Sequence, residues 1–138
     1  MMVYAVKTPP GRTGAIGAAN FKEGPAQCRI TMEIEPITAL EEYGAILRSD
    51  EKAAIGYRFN LSPNTGIVTL GNTNIKGVTG LNKIIKVDII LKDDIMDVSI
   101  DGRRCIVNRT PEWKGTSLWL YGKHGTVKFK SIKIYPLT

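Results

Sequence analysis

The chain has 138 residues, a formal net charge of +6 and a hydrophobic fraction of 43%. A chain of this length is typical of one domain, and it buries roughly two thirds of the surface that its unfolded form exposes, so a stable core needs neither a metal nor a disulfide. The apolar runs are only a few residues long, whereas a membrane-spanning helix needs about 20, so we expect no membrane partner.

The positive charge raises the question of nucleic-acid binding. Lysine and arginine are spread along nearly every segment, without the clustering and the interleaved exposed aromatic residues of nucleic-acid motifs. We therefore expect no nucleic-acid partner. A basic nucleic-acid-binding domain stays as an alternative function.

The first 27 residues begin with a short apolar alternation, Val3 to Val6, and continue after a Pro-Pro-Gly break as a piece rich in glycine and alanine. This piece lacks a helical period, and its small residues are expected to pack against a sheet edge or another domain. The start of the chain shows no signal-peptide pattern. It fits a domain excised from a larger protein, whether secreted or cytoplasmic.

The middle of the chain alternates in the manner of strands. The run CRITMEIEP places apolar side chains on one face and polar ones on the other until Pro36 ends it. The segment ITALEEYG is long enough for only a single helical turn, so we expect a connection there. Two strands are predicted after it, from Gly44 to Arg48 and from Ala54 to Leu61. A turn at Pro63–Gly66 leads to the strand GIVTLGN, and NTNIKGVTGLNK reads as a loop with one weak edge strand.

The run from Ile84 to Asn108 predicts an antiparallel meander. Asp93-Asp94 and Asp101-Gly102 separate three alternating segments, and Asp-Gly is a strong hairpin signal because the favoured turn needs positive φ at both central residues. Side chains alternate across a strand with period two. The predicted inward side chains are Ile85, Val87, Ile89, Leu91, Met96, Val98 and Ile100.

Two more strands are predicted around a turn at Gly122–Gly125. In the last strand Val127 and Phe129 are out of phase with the later isoleucines, and a β-bulge near Lys130-Ser131 would restore the register. About ten short strands without a substantial helix predict a single antiparallel β-sandwich domain of jelly-roll or concanavalin A-like type over residues 1–138, with a barrel as the alternative.

Cysteine and histidine offer little chemistry. Cys28 and Cys105 lie in predicted strands without metal-ligand spacing, so we expect small buried side chains and neither a metal nor a cofactor. A disulfide between them needs Cα atoms within about 7 Å, a distance that the sequence leaves open. The lone His124, in a Gly-Lys-His-Gly turn, is expected to be solvated rather than catalytic.

Carboxylates and aromatic residues are the remaining candidates. The carboxylates that face away from the predicted core are interpreted as a solvated sheet face, since no two of them can be placed across a cleft from sequence; they are Glu33, Glu35, Asp88 and Asp97. Trp119 and Tyr121 share the polar face of their strand. Their rings either form a platform for the apolar face of a sugar ring or, if a second sheet covers this face, belong to a core. Trp113, in the loop TPEWKG, either packs that loop down or contacts a ligand.

The C-terminal half resembles the β-sandwich module that follows the catalytic propeller in glycoside hydrolase family 32. The likeness rests on DDIMDVSIDGRRCIVNR and GTSLWLYGKHGTVKFKSIKIYPL, and more loosely on NFKEGPAQCRITMEIEP and YGAILRSDE. The nucleophile, stabiliser and acid motifs of that family belong to its propeller, and none of them occurs in this chain. The resemblance therefore implies a non-catalytic module whose parent chain carries an upstream propeller.

Carbohydrate-binding module family 66, a related sandwich, is also similar to this chain and binds terminal fructose. By local pattern this resemblance implies a sugar-binding pocket near Arg48, Asp50, Tyr57 and Glu33. The period-two alternation of the predicted strand, however, places Tyr57 on the core face. Arginine donates to vicinal hydroxyl groups, carboxylates accept from them, and an aromatic ring closes one side.

The sequence thus predicts a non-catalytic module that binds a fructoside or another glycan, or that only supports a propeller. The supporting role predicts an apolar patch of Val3, Ile16 and Phe21 suited to another domain. A small glycan-active enzyme is the other alternative, and it would need two carboxylates in one cleft.

Overall fold

The structure is a computed structural model that describes residues 27–50, 55–109, 115 and 117–137, together with the backbone of residues 3–7 and 16–21. The described residues form twelve strands and no helix. The strands are β1 (Val3–Lys7), β2 (Ile16–Phe21), β3 (Cys28–Pro36), β4 (Glu42–Ser49), β5 (Tyr57–Ser62), β6 (Ile67–Leu70), β7 (Thr73–Ile75), β8 (Ile85–Lys92), β9 (Ile95–Ile100), β10 (Arg104–Arg109), β11 (Ser117–Lys123) and β12 (Thr126–Pro136). In this part of the chain no helix is long and apolar enough to span a membrane.

The strands form two six-stranded antiparallel sheets. The front sheet has the order β1-β12-β3-β8-β9-β10 and the back sheet the order β2-β11-β4-β5-β6-β7. The predicted sandwich is confirmed, and the barrel alternative is wrong because the strands divide into two separate sheets. The glycine- and alanine-rich piece supplies β2, an edge strand of the back sheet, and the weak edge strand predicted after Gly71 is β7.

The core lies between the two sheets, and the meander has the predicted parity. Every predicted inward side chain of β8 and β9 is buried, from Ile85 through Ile100. The apolar face of β3, beginning with Cys28, is buried beside them on the same side of the front sheet. Burial of each large aliphatic side chain is worth about 1.5–3 kcal/mol, so this continuous face contributes substantially to stability.

Local backbone geometry agrees with the two turn signals. Asp101 and Gly102 have φ values of 54° and 65°, and the Arg103 N–H donates to the Ile100 carbonyl at 3.0 Å. Asp93 has a φ of 52° in the preceding turn. An aspartate tolerates this left-handed region better than most side chains, which explains its use at both positions.

The predicted bulge in the last strand is present. The pairing of β12 with β3 shifts register between Lys130 and Lys133, and Ser131 has a φ of 53°. The extra residue keeps Phe129 and Ile132 on the core face on both sides of the shift. The side chain of Lys133 consequently faces outward.

The two cysteines are free and differ in environment. Cys28 is buried as expected, whereas Cys105 is exposed, so the expectation of a buried side chain was wrong for Cys105. The reason is its place on β10, the edge strand of the front sheet, where Ile106 points into the core and its neighbours point outward.

The predicted strand from Ala54 to Leu61 begins later than expected. Ile55 is exposed because β5 begins at Tyr57, three residues after the predicted start.

Candidate functional site

A cleft of about 470 Å³ opens on the outer face of the front sheet. Its lining comes from four adjacent strands, β12, β3, β8 and β9, and from the Asp101–Gly102 turn. The alternating sequence of these strands explains the cleft, because burial of the apolar side chains directs every second, polar side chain to this face. The cleft is thus built on the backbone of four hydrogen-bonded strands.

Strand register places the polar side chains in rows across the sheet. One row runs through Lys133, Thr31, Asp88 and Ser99, on β12, β3, β8 and β9 in turn. Directly opposite residues in such a row have Cβ atoms about 5 Å apart. The row therefore offers a cation, a carboxylate and two hydroxyl groups to one small ligand.

Asp88 is held by a two-point contact with Arg29. The arginine Nε donates to Oδ1 at 3.0 Å, and its Nη2 donates to Oδ2 at 2.6 Å. Both groups are partly exposed, so we assign this pair no large stability. Its consequence is geometric, since a forked contact fixes the plane of the carboxylate.

Asp101 closes the cleft on the β9 side. Its Oδ1 accepts the Lys86 N–H at 2.8 Å, and its own N–H donates to the Lys86 carbonyl at 2.8 Å. These two bonds hold the turn after β9 against β8. The turn consequently forms a wall of the cleft rather than projecting into solvent.

Glu33 lies in the cleft, opposite Lys86 on the neighbouring strand. The next carboxylate on β3, Glu35, lies outside it and pairs with Lys130 at 2.5 Å. The hydrogen bond from Lys130 lowers the pKa of Glu35. Of the residues predicted to bind a sugar, Glu33 lies in the lining of this cleft.

Arg48 lies elsewhere, at one end of the sandwich. It has a φ of 49°, its side chain is 5% exposed, and its Nη1 donates to the Asp93 carbonyl at 2.5 Å. Burial raises the pKa of the Cys28 thiol, an effect that the nearby Arg48 charge partly offsets. The guanidinium therefore packs beside the β8–β9 turn and does not meet Glu33.

Asp50 and Trp119 come together at the back sheet. The Trp119 Nε1–H donates to the Asp50 carbonyl at 3.1 Å, and an Asp50 carboxylate oxygen accepts the Ile55 N–H at 3.3 Å. Tyr57 belongs to the buried core. Trp113 lies outside the described residues.

Tyr121 is on the outer face of the back sheet and yet only 2% exposed. Its hydroxyl donates to Oδ1 of Asn60, two strands away, with Gly44 directly between them in the register. A Cβ at Gly44 would stand 1.9 Å from the Phe59 carbonyl oxygen, so this close strand packing requires glycine.

The ring of Tyr121 is covered by Arg58, whose guanidinium lies 5.1 Å from the ring centroid. Asn60 in turn donates to Glu42 at 3.0 Å. Burial raises the pKa of the Tyr121 hydroxyl. The structure therefore shows a covered Tyr121, while Trp119 on the same strand is half-buried.

His124 contacts a carboxylate in its turn. Its Nδ1 lies 2.7 Å from Oε2 of Glu41, and this contact lowers the pKa of Glu41. Among the residues that the structure describes, no three His, Cys, Asp or Glu side chains come together in the manner of metal ligands.

Comparison with known proteins gives structural neighbours only. No protein-family model and no curated protein sequence matches the chain. Among solved structures, the carbohydrate-binding module CBM66 from Bacillus subtilis has a TM-score of 0.71 at 15% identity, covering 96% of this chain and 94% of that one. The chain has the fold of the CBM66 sandwich.

Two further neighbours share this CBM66-like fold. A fructosyltransferase from A. japonicus has a TM-score of 0.74 at 11% identity over 99% of this chain, which spans 25% of that enzyme's length. A galectin from Caenorhabditis elegans has a TM-score of 0.61 at 15% identity, with 94% and 95% of the two chains covered. The predicted likeness to CBM66 and to fructan-enzyme sandwiches is confirmed at the level of the fold.

Sequence reasoning missed most of the cleft of this CBM66-like sandwich. Lys86, Asp101, Lys133 and Tyr135 line it together with Glu33, and none of the first four was a predicted site residue. Two local signals did mark its borders, the Asp-Gly turn at one side and the bulge near Ser131 at the other. The pairing of β12 with β3 and of β3 with β8 is what joins them.

Proposed function

We propose that this domain is a non-catalytic carbohydrate-binding module whose ligand occupies the cleft of the front sheet. The observation that supports this most is the composition of the cleft. It combines carboxylates, lysines, hydroxyl groups and one half-exposed ring, Tyr135, on a rigid sheet. A concave site with a few converging polar groups is the usual form of a small-ligand site.

Each group has a defined part in sugar recognition. Glu33 and Asp88 accept hydrogen bonds from hydroxyl groups, and Lys86 and Lys133 donate to hydroxyl oxygens. Tyr135 covers the apolar face of a sugar ring. Because Arg29 already fixes the Asp88 carboxylate, that acceptor loses little freedom on binding.

The ligand class to test first is the β-fructosides, because CBM66 and a fructosyltransferase share the fold. In the same proposal the domain is attached to a glycosidase catalytic domain, which is supported by the match of this chain to only 25% of the length of the fructosyltransferase. The experiment is calorimetric titration of the domain with levan, inulin, sucrose and a wider set of glycans. Absence of binding by any saccharide at millimolar concentration would overturn the proposal.

The variant Glu33→Gln tests the location. Loss of one charged acceptor is expected to weaken binding about tenfold or more. Glu35→Gln is the matched control, because Glu35 lies on the same strand and face but pairs with Lys130 outside the cleft. If Glu35→Gln weakens binding as much as Glu33→Gln, the cleft is the wrong site.

The alternative sugar site is the end of the sandwich that carries Arg48 and Asp50, together with Trp119. Asp50→Asn distinguishes the two sites, since it should leave binding in the cleft unchanged. A loss of binding in Asp50→Asn with full binding in Glu33→Gln would assign the ligand to that end.

A glycan-active enzyme is the second candidate, and one observation favours it. Glu33 and Asp88 line one cleft as diagonal neighbours on adjacent strands, which corresponds to roughly 7–8 Å between their positions. Carboxylate pairs at about this separation hydrolyse glycosides. However, both oxygens of Asp88 accept from Arg29, so we favour binding. Release of reducing sugar by the purified domain, lost in Glu33→Gln, would establish the enzyme.

A further inference from the structure

The outer face of the front sheet continues beyond the cleft to the edge strand β10. A second row of side chains crosses five strands next to the cleft. In order from β12 to β10, this outer row consists of Tyr135, Arg29, Ile90, Asp97 and Val107. Five strands at about 4.8 Å spacing give it a length of about 19 Å.

Large apolar side chains are exposed at regular positions in the outer row. Tyr135 is 45% exposed, Ile90 38% and Val107 53%. Each is two strands, or about 10 Å, from the next. The three exposed side chains are aligned across the sheet, so they offer separate apolar contacts along one line.

Charged groups separate these apolar positions. Arg29 lies between Tyr135 and Ile90, and Asp97 lies between Ile90 and Val107. A saccharide chain presents the same alternation, because each ring has apolar faces and a rim of hydroxyl groups. The outer row therefore matches a chain of sugar rings better than it matches a flat apolar partner.

The charge of this face favours a neutral chain. The cleft and the outer row together carry three cationic side chains, Arg29, Lys86 and Lys133, and four carboxylates, Glu33, Asp88, Asp97 and Asp101. The near balance contrasts with the formal charge of +6 for the whole chain. A nucleic acid or an acidic polysaccharide would need an excess of cations here.

We propose that the cleft and the outer row form one groove that binds an extended neutral oligosaccharide, with internal sugar units over Ile90 and Val107. This inference rests on the proposed function and adds to it the chain length of the ligand. A groove of about 19 Å contacts several consecutive units. A terminal sugar alone fills the cleft beside Tyr135 and leaves Ile90 and Val107 without a sugar contact.

Titration with inulin-type fructo-oligosaccharides, and in parallel with neutral β-glucans, from the disaccharide to the octasaccharide tests the chain length. Affinity is expected to rise with length. Val107→Ser should weaken binding of the longest chain about tenfold, by loss of one apolar contact, and leave the disaccharide unchanged. Ile37→Ser is the control, since Ile37 is exposed in the connection after β3 and lies outside the groove.

Protection of Cys105 from alkylation tests the groove in the unmodified protein. Cys105 is exposed on β10 in the row that contains Ser99, next to the proposed path of the chain. The octasaccharide should slow alkylation of Cys105, and the disaccharide should not.

The outcomes separate the inference from the proposed function. If affinity is independent of saccharide length and no saccharide slows alkylation of Cys105, the extended groove is refuted, whereas binding of short saccharides still supports the proposed carbohydrate-binding function. If acidic polysaccharides bind in place of neutral chains, the groove as a neutral-chain site is also refuted. If no saccharide of any length binds, both proposals fall.

Discussion

Replacement of Tyr121 by phenylalanine tests whether this residue stabilises the back sheet or touches a ligand. The hydroxyl of Tyr121 donates to Asn60, which donates onward to Glu42. The variant keeps the ring under Arg58 and removes only the donor. Stability and sugar binding should therefore respond differently.

The expected loss of stability follows from the burial of the partners. The ring is 2% exposed and Asn60 is half-buried. Loss of the hydrogen bond, with part of the cost of an unsatisfied amide oxygen, gives about 1–2 kcal/mol. For a domain of this size that corresponds to a decrease in Tm of roughly 3–8 °C.

The assay is urea and thermal unfolding of the wild type and of Tyr121→Phe, followed by saccharide titration of both proteins. Tyr135→Phe is the control, because its hydroxyl is on an exposed ring and its removal should change stability by less than about 0.5 kcal/mol. A double-mutant cycle with Asn60→Ala should show coupling between the two residues. A variant Tyr121→Phe that is fully stable but has lost sugar affinity would refute this reasoning and assign Tyr121 to the ligand.

Two further predictions concern titratable groups outside the cleft. A thiol reagent should modify Cys105 in the native domain and reach Cys28 only after unfolding, because burial both covers Cys28 and raises its pKa; mass spectrometry of the labelled chain checks this, and equal labelling rates would contradict it. The pKa of Glu41 is lowered below its ordinary value of 4.5 mainly by His124, so its stabilising contribution is present above pH 4.5 and is lost as pH falls through the lower folded-state pKa. The difference in urea midpoint between wild type and Glu41→Gln should accordingly shrink from pH 7 to pH 3, and a constant difference would exclude the carboxylate as its source.

Local sequence signals predicted the scaffold well. The period-two alternation in β3, β8 and β9 identified the buried faces, and the Asp101-Gly102 signal identified a turn with positive φ at both residues. The phase change in the last strand located the bulge at Ser131. Each of these signals lies within a few residues of chain, so neighbours in sequence suffice to determine it.

The site could be predicted only in part. Arg29 and Asp88 are 59 positions apart in the chain and form a two-point contact in the structure. Arg48 and Asp50 are two positions apart, and yet the Arg48 side chain bonds to the β8–β9 turn while Asp50 meets Trp119 and Ile55. Neighbours in sequence thus contact different groups at Arg48 and Asp50, whereas the contact of Asp88 with Arg29 has no signal in the local sequence.

The sequence by itself determined which side chains of β3, β8 and β9 face the core and where the chain turns between β8, β9 and β10, because alternation and turn geometry are local properties of the backbone. The tertiary structure alone decided which polar side chains share a cleft, because that depends on strand order. The chain pairs β12 with β3 and β3 with β8, and this crossover brings Lys133, Glu33 and Asp88 onto one surface. Strand order arises from packing of the whole sandwich, for which no short segment carries a signal.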